Sequence, residues 1–329
     1  MLEADRELIE RFEETFDPAH PERGPVPAKV IGYGEMSTIL AFDASGCEGI
    51  VFKRMALFET NDEAREYETI YRAYNVALAD LGLRLPDWGL VTVDSKWGPV
   101  LYLTQTKLDP ASVGHKLIHS APADESLGLI DSVLGEIRKV YAHNASLSGS
   151  AGVELGLDSQ ISNWALAEPG SQPFYFDTST PLMRVDGVEQ LDAELFVRIC
   201  PQSMQWVIRR YFLQDVLDRY YVLRLVLTDL LANLFKEQKG SLVPPALDLV
   251  NDFLGGQAAM AEFAKSGVDL RPIELSSVKS YYRQDMPIWW LFLNMRRAER
   301  FWRTKVRRAD YRPILPGRTK RFHLRVDRG

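Results

Sequence analysis

Three polar side chains near the middle of the chain have the types and spacing that nucleotide chemistry requires. Asn163 follows Asp158 by five positions, and Asp177 stands at the end of the short apolar run 174–176. One carboxylate can orient a hydroxyl group, while an amide and a second carboxylate can hold Mg²⁺. A β-hairpin bounded by the two aspartates explains the same letters, because Asp and Asn are common loop residues. Both interpretations stay open at this point.

A glycine-containing turn lies between two predicted strands in the first part of the chain. The turn contains Gly32, Gly34 and Ser37, and it joins apolar segments at 29–31 and 38–42. Backbone N–H groups in such a turn can approach phosphate oxygens closely, and a serine hydroxyl can add a hydrogen bond. A plain β-hairpin is the alternative interpretation.

The next predicted strand, 49–55, contains a lysine between apolar residues. If Lys53 points inward it needs a carboxylate partner, because burying an unpaired charge is costly. The helix predicted at 60–82 offers Glu66 on its apolar stripe as that partner, with Glu68 as the alternative. Strand alternation also allows Lys53 to face water, and helix acids are usually solvated.

The hydrophobic period changes near residue 106. Two more predicted strands, 88–93 and 100–104, precede that point, and apolar residues recur at helical spacing from residue 125 onward. We therefore predict an α+β chain in two lobes. The predicted divisions are an amphipathic helix and Pro-rich linker at 1–28, a β-rich lobe with one main helix at 29–106, and a mostly helical lobe at 107–329.

The composition is that of an ordinary globular protein. The chain has 329 residues, of which 46% are apolar and 26% are charged, as in typical folded domains. The first residues are charged, and no apolar run is long enough to span a bilayer, so we expect no signal peptide, no membrane partner and a cytoplasmic location. Cys47 and Cys200 are far apart and lack zinc-ligand spacing, which indicates structural thiols.

Charge is distributed unevenly along the chain. Residues 296–329 contain 13 Lys and Arg against 3 Asp and Glu, whereas residues 1–295 contain 26 against 42. This basic arm, 296–329, can meet phosphates of nucleic acid or lipid, but it contains no recognisable recognition helix or RNA-binding motif. We therefore expect a surface arm that is solvated or lies across the acidic body of its own chain, and no specific nucleic acid partner.

The order of these parts resembles the protein-kinase-like superfamily, in the style of its small-molecule branch, the aminoglycoside and choline phosphotransferases. The shared order is a glycine turn, a strand lysine, a helix glutamate, a hinge, Asp158 with Asn163, and a strand-end Asp177. The motifs cover about residues 29–180, and the helical half is similar only in general character. The resemblance implies a two-lobed kinase-like fold that uses ATP and Mg²⁺.

The resemblance also implies roles for the nucleotide-binding residues. Gly32 and Gly34, with the Ser37 hydroxyl, would cover the phosphates. Lys53, held by Glu66, would bind the α- and β-phosphates. The segment 103–106, which includes Gln105 and Thr106, would be the hinge whose backbone meets the adenine.

The remaining implied roles concern catalysis. Asp158 would orient the accepting hydroxyl, and Asn163 with Asp177 would bind Mg²⁺, so that the γ-phosphate passes to a small molecule. An acidic body favours a cationic acceptor. Gly156 stands where the family usually has a histidine that braces the catalytic loop, and Thr178 with Ser179 replace the usual Phe-Gly. A catalytically weak pseudokinase, or a nucleotide-binding regulatory module, is the alternative.

Overall fold

The protein has an α+β fold in which a five-stranded antiparallel sheet precedes a mostly helical region. The computed structural model describes residues 2–34, 36–147, 149–201, 205–206, 217–263, 266–308, 311 and 313–315. The predicted fold class is thus confirmed at the level of α+β. The last strand of the large sheet ends at Thr106, where the sequence predicts a change from strands to helices.

Within those residues there are ten strands and nine α-helices. The strands are β1 (Ala28–Tyr33), β2 (Thr38–Phe42), β3 (Ile50–Met55), β4 (Trp88–Ser95), β5 (Gly98–Thr106), β6 (Val153–Leu155), β7 (Trp164–Ala165), β8 (Phe174–Tyr175), β9 (Met183–Val185) and β10 (Val188–Glu189). The helices are α1 (Arg6–Thr15), α2 (Asn61–Asp80), α3 (Gly114–Ser120), α4 (Ala123–Leu147), α5 (Glu194–Ile199), α6 (Leu223–Lys236), α7 (Val243–Gly255), α8 (Gln257–Phe263) and α9 (Leu275–Phe301).

The large sheet has the strand order β1-β2-β3-β5-β4. Gly32, Ile39, Lys53 and Leu103 are paired in succession across β1, β2, β3 and β5. Directly paired residues point to the same face of a sheet. The glycine turn between β1 and β2 and the strand lysine are therefore placed on one face, two strands apart.

Alternation along β3 gives the sheet two different faces. Phe52 packs with α1 on one face, in an aromatic cluster that also contains Phe12 of α1 and Phe42 of β2. Met55 packs with α2 on the opposite face. Because successive strand residues point in opposite directions, Lys53 shares the α2 face.

Helix α2 begins and ends at residues suited to these positions. The Thr60 hydroxyl accepts a hydrogen bond from the Glu63 N–H at 3.2 Å, which caps the first turn. Gly82 follows the helix with a φ of +79°, a left-handed conformation that glycine adopts without strain. The buried residues between these ends recur at helical spacing and are mostly aromatic or aliphatic, so α2 presents one apolar stripe to its surroundings.

The helical region is built around α4, α6 and α7, which share one large apolar cluster. Two small sheets lie beside it, one with the order β10-β9-β6 and one made of β7 and β8. Among the described residues, no helix combines the length and the apolarity needed to cross a bilayer.

The described part of the basic arm is solvated at residues 305–308, as expected from the sequence, and it also lies across the body of the chain. Its first residues are the last residues of α9. Near its beginning, this helix packs into the helical cluster through Val278. The chain then returns to the large sheet, where Ile314 joins the cluster on the α1 face and Leu315 is also buried. These two apolar residues leave water by covering the sheet, which is a favourable transfer that a charge count does not register.

Candidate functional site

Lys53 lies at the centre of the candidate site. Its side chain is only 6% exposed, and its Nζ donates to Asp177 Oδ1 at 2.9 Å and to the Phe176 carbonyl at 3.0 Å. The Gln105 side chain donates to the same carbonyl at 2.8 Å. Two side chains of the sheet thus hold the segment that carries Asp177, which lies 124 positions after Lys53 and begins 71 positions after Gln105.

The environment of Asp177 favours its charged form. Burial opposes ionisation of this carboxyl, but the Lys53 ammonium and the hydrogen bond from the Ser179 hydroxyl, at 2.6 Å, outweigh it and lower the pKa of Asp177. The side chain keeps 35% of its surface exposed. A carboxylate that is ionised, fixed and partly open to solvent is suited to meet a cation.

The loop 158–163 brings the other two predicted residues to this place. Asn163 Nδ2 donates to the Asp158 carbonyl at 3.0 Å, which closes the loop on itself. The Asn163 carbonyl in turn accepts from the Phe176 N–H at 3.1 Å. One chain of hydrogen bonds therefore connects Asp158, Asn163 and Asp177 with Lys53.

The β-hairpin considered as the plain alternative is also present. β7 and β8 pair antiparallel, with Trp164 opposite Tyr175. Both rings are buried, and their centroids lie 4.9 Å apart. Because Asn163 and Phe176 flank this two-residue ladder, the hairpin is what sets the polar residues side by side, and the two interpretations are compatible.

Helix α6 packs against the loop 158–163 and holds it by hydrogen bonds. The Ser159 hydroxyl donates to the Val226 carbonyl at 3.0 Å, and Asn233 Oδ1 accepts from the Ile161 N–H at 3.1 Å. Lys236 Nζ donates to Gln160 Oε1 at 2.9 Å. A second ammonium therefore contacts the loop at a residue two positions after Asp158. The loop is thus fixed by side chains that lie some 70 positions further along the chain.

The glycine turn is a tight hairpin. The Gly34 N–H donates to the Ser37 carbonyl at 2.9 Å, and Ser37 is buried. A Cβ at Gly34 would lie 2.8 Å from Ser37 Oγ, and one at Gly32 would lie 3.1 Å from Ile39 Cδ1, so side chains at these positions would crowd the turn. Sheet register places the turn on the Lys53 face, but no hydrogen bond among the described residues joins it to Asp158, Asn163 or Asp177.

Glu66 does not hold Lys53, contrary to the prediction. Glu66 is exposed on α2, and Lys53 pairs with Asp177 instead. The alternative, Glu68, accepts a hydrogen bond from Thr92 of β4. The reason lies in the phase of the helix, because its buried stripe includes tyrosines at 67, 71 and 74 and leaves the acid one position away on the solvent side.

Two of these tyrosines bind the backbone beside the two carboxylates. The Tyr67 hydroxyl donates to the Ser179 carbonyl at 2.6 Å, and the Tyr74 hydroxyl donates to the Gly156 carbonyl at 2.7 Å. Burial above all raises the pKa of both phenols, and nearby carboxylates act in the same direction. Both Asp158 and Asp177 act on Tyr74 in this way.

Gly156 leaves no room for the histidine that the resemblance implies. A Cβ there would lie 3.0 Å from both the Tyr220 carbonyl and Leu182 Cβ. The backbone is held instead by the Tyr74 hydroxyl and by the Gly156 N–H, which donates to the Leu182 carbonyl at 2.8 Å. The loop is therefore braced without a histidine.

The segment 103–106 does not offer free backbone groups to an adenine, contrary to the prediction. β5 is an interior strand, so Leu103 pairs with both Lys53 and Leu90, and Gln105 is paired on both sides as well. The Thr106 N–H donates to the Asp87 carbonyl at 2.9 Å. Sequence patterns predicted the strand correctly but could not show that it has two neighbours.

The residues present fit a magnesium ion that a nucleotide brings with it. Asn163 Nδ2 is turned to the Asp158 carbonyl, which directs the amide oxygen elsewhere, and Asp177 Oδ1 is engaged by Lys53 and Ser179, which leaves Oδ2. One amide oxygen and one carboxylate oxygen suit Mg²⁺, because this ion usually keeps one or two protein ligands beside waters and phosphates. Among the described residues, no group of three or more His, Cys, Asp and Glu side chains forms a self-sufficient metal site.

Residues 19–300 match DUF6206, described as a family of unknown function. The chain belongs to this family. No curated protein matches the chain. Membership covers the sheet, the candidate site and most of the helical region, and it assigns no activity to them.

In this DUF6206 chain, the tyrosines of α2 were a sequence signal for the site that the motif-based prediction did not include. Tyr67, Tyr71 and Tyr74 lie at helical spacing and are typical of a core stripe. A buried phenol also needs a hydrogen-bond partner, so three of them on one helix indicate a polar surface opposite. Nothing in the sequence indicated that Asn233 and Lys236 contact the loop, because those contacts depend on how α6 packs.

Proposed function

We propose that this chain is an ATP- and Mg²⁺-dependent phosphotransferase that moves the γ-phosphate to a hydroxyl group of a small molecule. One observation carries the proposal, namely that Lys53 from the sheet and Asp177 from the helical half form an ion pair of 2.9 Å, to which the loop 158–163 is attached by backbone hydrogen bonds. Phosphoryl transfer needs positioning and charge neutralisation more than covalent chemistry, and this set of residues supplies both.

Each residue has a role that follows from its surroundings. Asp158 is half-buried at the start of the loop 158–163. It orients the accepting hydroxyl, whose proton it can take. Asn163 and Asp177 hold the magnesium ion, which shields the phosphate charges when bound. Lys53 supplies a cation that is already fixed before the nucleotide arrives, so little reorganisation is needed.

The arrangement of elements supports a two-lobed kinase-like organisation. Lys53 belongs to the large sheet and Asp177 follows the β7–β8 hairpin, while α2 packs against both parts, with Tyr67 in the cluster beside the sheet and Tyr74 in the cluster of the helical region. Because 103–106 is fully paired and the Lys107 N–H donates to the Gly49 carbonyl at 2.7 Å, we propose the adenine contact just after the sheet, at the Lys107 carbonyl and the Leu108 N–H.

The acceptor is a hydroxyl compound, but the local charge changes the expectation for its type. Lys236 lies beside Gln160, close to the loop that carries Asp158. An ammonium that contacts the Asp158 loop opposes a cationic acceptor, whatever the net charge of the rest of the chain, because nearby charges act more strongly than distant ones. We therefore favour a neutral or anionic hydroxyl compound over the cationic one predicted from the sequence.

Titration calorimetry tests the proposal. ATP is titrated with and without Mg²⁺ into the wild type and the variants Asp177→Asn and Asp158→Asn. We expect Asp177→Asn to weaken Mg²⁺-dependent binding about tenfold or more, because an amide keeps the shape but lacks the charge. Asp158→Asn should bind ATP normally and lose turnover by about 10²-fold.

The exposed Asp131 on α4 provides the matched control, because Asp131→Asn makes the same chemical change away from the site. A wild type that binds no ATP in the presence of Mg²⁺ would overturn the proposal. ATP binding without ATPase or transfer activity towards any hydroxyl acceptor would favour the pseudokinase alternative.

A further inference from the structure

We propose that Tyr67 and Tyr74 of α2 are positioning residues that hold the Asp177 segment and the Asp158 segment, respectively, at a fixed separation. The part of this inference that concerns turnover rests on the proposed phosphotransferase function. The part that concerns geometry does not.

The geometry is nearly symmetrical about the two carboxylates. Tyr67 donates to the Ser179 carbonyl, two residues after Asp177, and Tyr74 donates to the Gly156 carbonyl, two residues before Asp158. The two tyrosines are seven positions apart, which is two helical turns and about 10 Å along one face. One rigid helix thus binds both segments at places two residues from the groups that would act.

Each contact is connected to a candidate Mg²⁺ ligand by a second interaction. The Ser179 hydroxyl donates to Asp177 Oδ1 at 2.6 Å, so a displacement of Ser179 moves the carboxylate with it. The Asp158 segment is joined to Asn163 through the hydrogen bond to the Asp158 carbonyl at 3.0 Å. The effect of α2 therefore reaches both candidate Mg²⁺ ligands, Asn163 and Asp177, without touching them.

The tyrosine hydroxyls are suited to this task because their surroundings are dry. Tyr67 and Tyr74 are 1% and 0% exposed. When such a hydroxyl is removed, the buried carbonyl that accepted its hydrogen bond is left unsatisfied. Leaving that carbonyl without a donor costs more than the hydrogen bond itself contributes. Water cannot replace the lost donor, so removal of either hydroxyl should release its segment.

The remaining buried tyrosine of this stripe offers a matched control. Tyr71 is 2% exposed, and its hydroxyl accepts from the Thr178 hydroxyl at the long distance of 3.4 Å and is also hydrogen-bonded to the Asn75 side chain of the same helix. Tyr71→Phe removes the same atom from the same helix as the other two variants. It leaves both backbone contacts in place.

The experiment compares Tyr67→Phe, Tyr74→Phe and Tyr71→Phe by amide hydrogen exchange in the absence of nucleotide. We expect Tyr67→Phe to speed exchange about tenfold at 176–180 and to leave 156–158 unchanged, because about one hydrogen bond is lost locally. We expect Tyr74→Phe to show the reverse pattern. Tyr71→Phe should change neither segment, and the ring volume is kept in all three, so all should fold.

Kinetics and ATP titration then separate positioning from general destabilisation. Tyr67→Phe should act mainly by weakening Mg²⁺-dependent ATP binding, whereas Tyr74→Phe should lower kcat by a larger factor than it weakens that binding. Equal exchange at both segments in each variant, or no change in either, would overturn the inference. If the exchange pattern is as expected but the wild type binds no Mg²⁺-ATP, the positioning role stands and the proposed function fails.

Discussion

Lys53 is an ammonium that has almost left water, and the Asp177 carboxylate balances its charge. Removing one member of such a pair leaves the other uncompensated in a dry environment, which is strongly unfavourable. Two of the three N–H groups of Lys53 Nζ have acceptors, namely the Phe176 carbonyl oxygen and Asp177 Oδ1. At the scale of single residues, this pair is what joins the sheet to the helical half.

The lowered pKa of Asp177 predicts a pH-dependent contribution to stability. A carboxyl whose pKa is lower in the folded state stabilises the protein above its unfolded pKa, near 4, and loses that contribution as the pH falls through the folded pKa. The stability advantage of the wild type over Asp177→Asn should therefore be constant at neutral pH and shrink below about pH 4. Chemical denaturation between pH 2 and 7 measures it.

The exposed pair of Asp62 with Arg65 provides the control for that measurement. Exposed ion pairs contribute about 0–1 kcal/mol, so Asp62→Asn should show a small difference from the wild type. An advantage over Asp177→Asn that grows as the pH falls would contradict the sign of the shift.

The choice of partner for Lys53 shows how far the residue scale is predictable. The sequence indicated that an inward lysine needs a carboxylate, and the structure places one against it. It did not indicate which one, because Glu66 is near in sequence whereas Asp177 becomes near only when the chain has folded. Local periodicity assigns a face of a helix, and an error of one position turns an acid from the interior to solvent.

At the scale of elements, α3 approaches the site loop so closely that a side chain is excluded. A Cβ at Gly114 would lie 2.2 Å from the Ile161 carbonyl oxygen. That carbonyl belongs to the short 3₁₀ turn Ile161–Asn163. The first residue of α3 is therefore a glycine because the backbone of the site loop occupies the space.

Gly114→Ala should consequently destabilise the protein and displace the turn. We expect a loss of about 2 kcal/mol, as is usual when extra volume meets backbone that cannot move freely. Gly135 in the interior of α4 has nothing within 4 Å of the corresponding position, so Gly135→Ala should instead stabilise by up to about 1 kcal/mol. Urea denaturation of both variants measures this. Equal stability of wild type and Gly114→Ala would show that the turn can give way.

Elements were easier to predict than their neighbours. The strands and α2 were visible in the sequence, because alternation, helical period and caps are local properties. The prediction of free backbone groups at 103–106 was wrong, because a single strand does not reveal that β3 and β4 flank it. The tyrosine stripe of α2 was visible as well, but its hydroxyl partners lie in segments more than 80 positions away.

At the scale of the whole molecule, the first helix is fixed to the sheet by a buried ion pair. Glu13 of α1 accepts two hydrogen bonds from Arg54 of β3, at 2.6 and 2.9 Å, and a third from the Tyr102 hydroxyl. Neither charged side chain is more than 2% exposed. Arg54 follows Lys53 directly, so β3 presents one cation to each face of the sheet.

A double-mutant cycle should reveal strong coupling in this pair. Glu13→Leu and Arg54→Met should each cost about 3 kcal/mol or more, because each leaves the other charge buried alone. The double variant should lose at least about 1 kcal/mol less than the sum of the singles. The exposed pair of Arg6 with Glu10 on the same helix should show about 0.3–0.5 kcal/mol. Additive effects at the buried pair would contradict the prediction.

The end of the chain also returns to the sheet. The Thr38 hydroxyl donates to the Ile314 carbonyl at 3.5 Å, next to the glycine turn. A cavity of about 520 Å³ lies beside this contact, lined by residues of β1, of the Pro-rich segment 18–27 and of the chain end, including Arg300 and Leu315. The first and last parts of the described chain therefore meet on one side of the β1–β2 hairpin.

This contact should stabilise the hairpin that carries the glycine turn. Ile314 is buried, so Ile314→Asp should lower stability by about 2 kcal/mol, roughly the contribution of burying one such side chain. It should also speed amide exchange in β1 and β2, because the hairpin lies at the edge of the sheet and loses its cover. Val306→Asp makes the same change at an exposed position in the same arm and should stay within about 0.5 kcal/mol of wild type. If the two variants behave alike, or if exchange in β1 and β2 does not change, the chain end merely lies on the sheet and does not stabilise it.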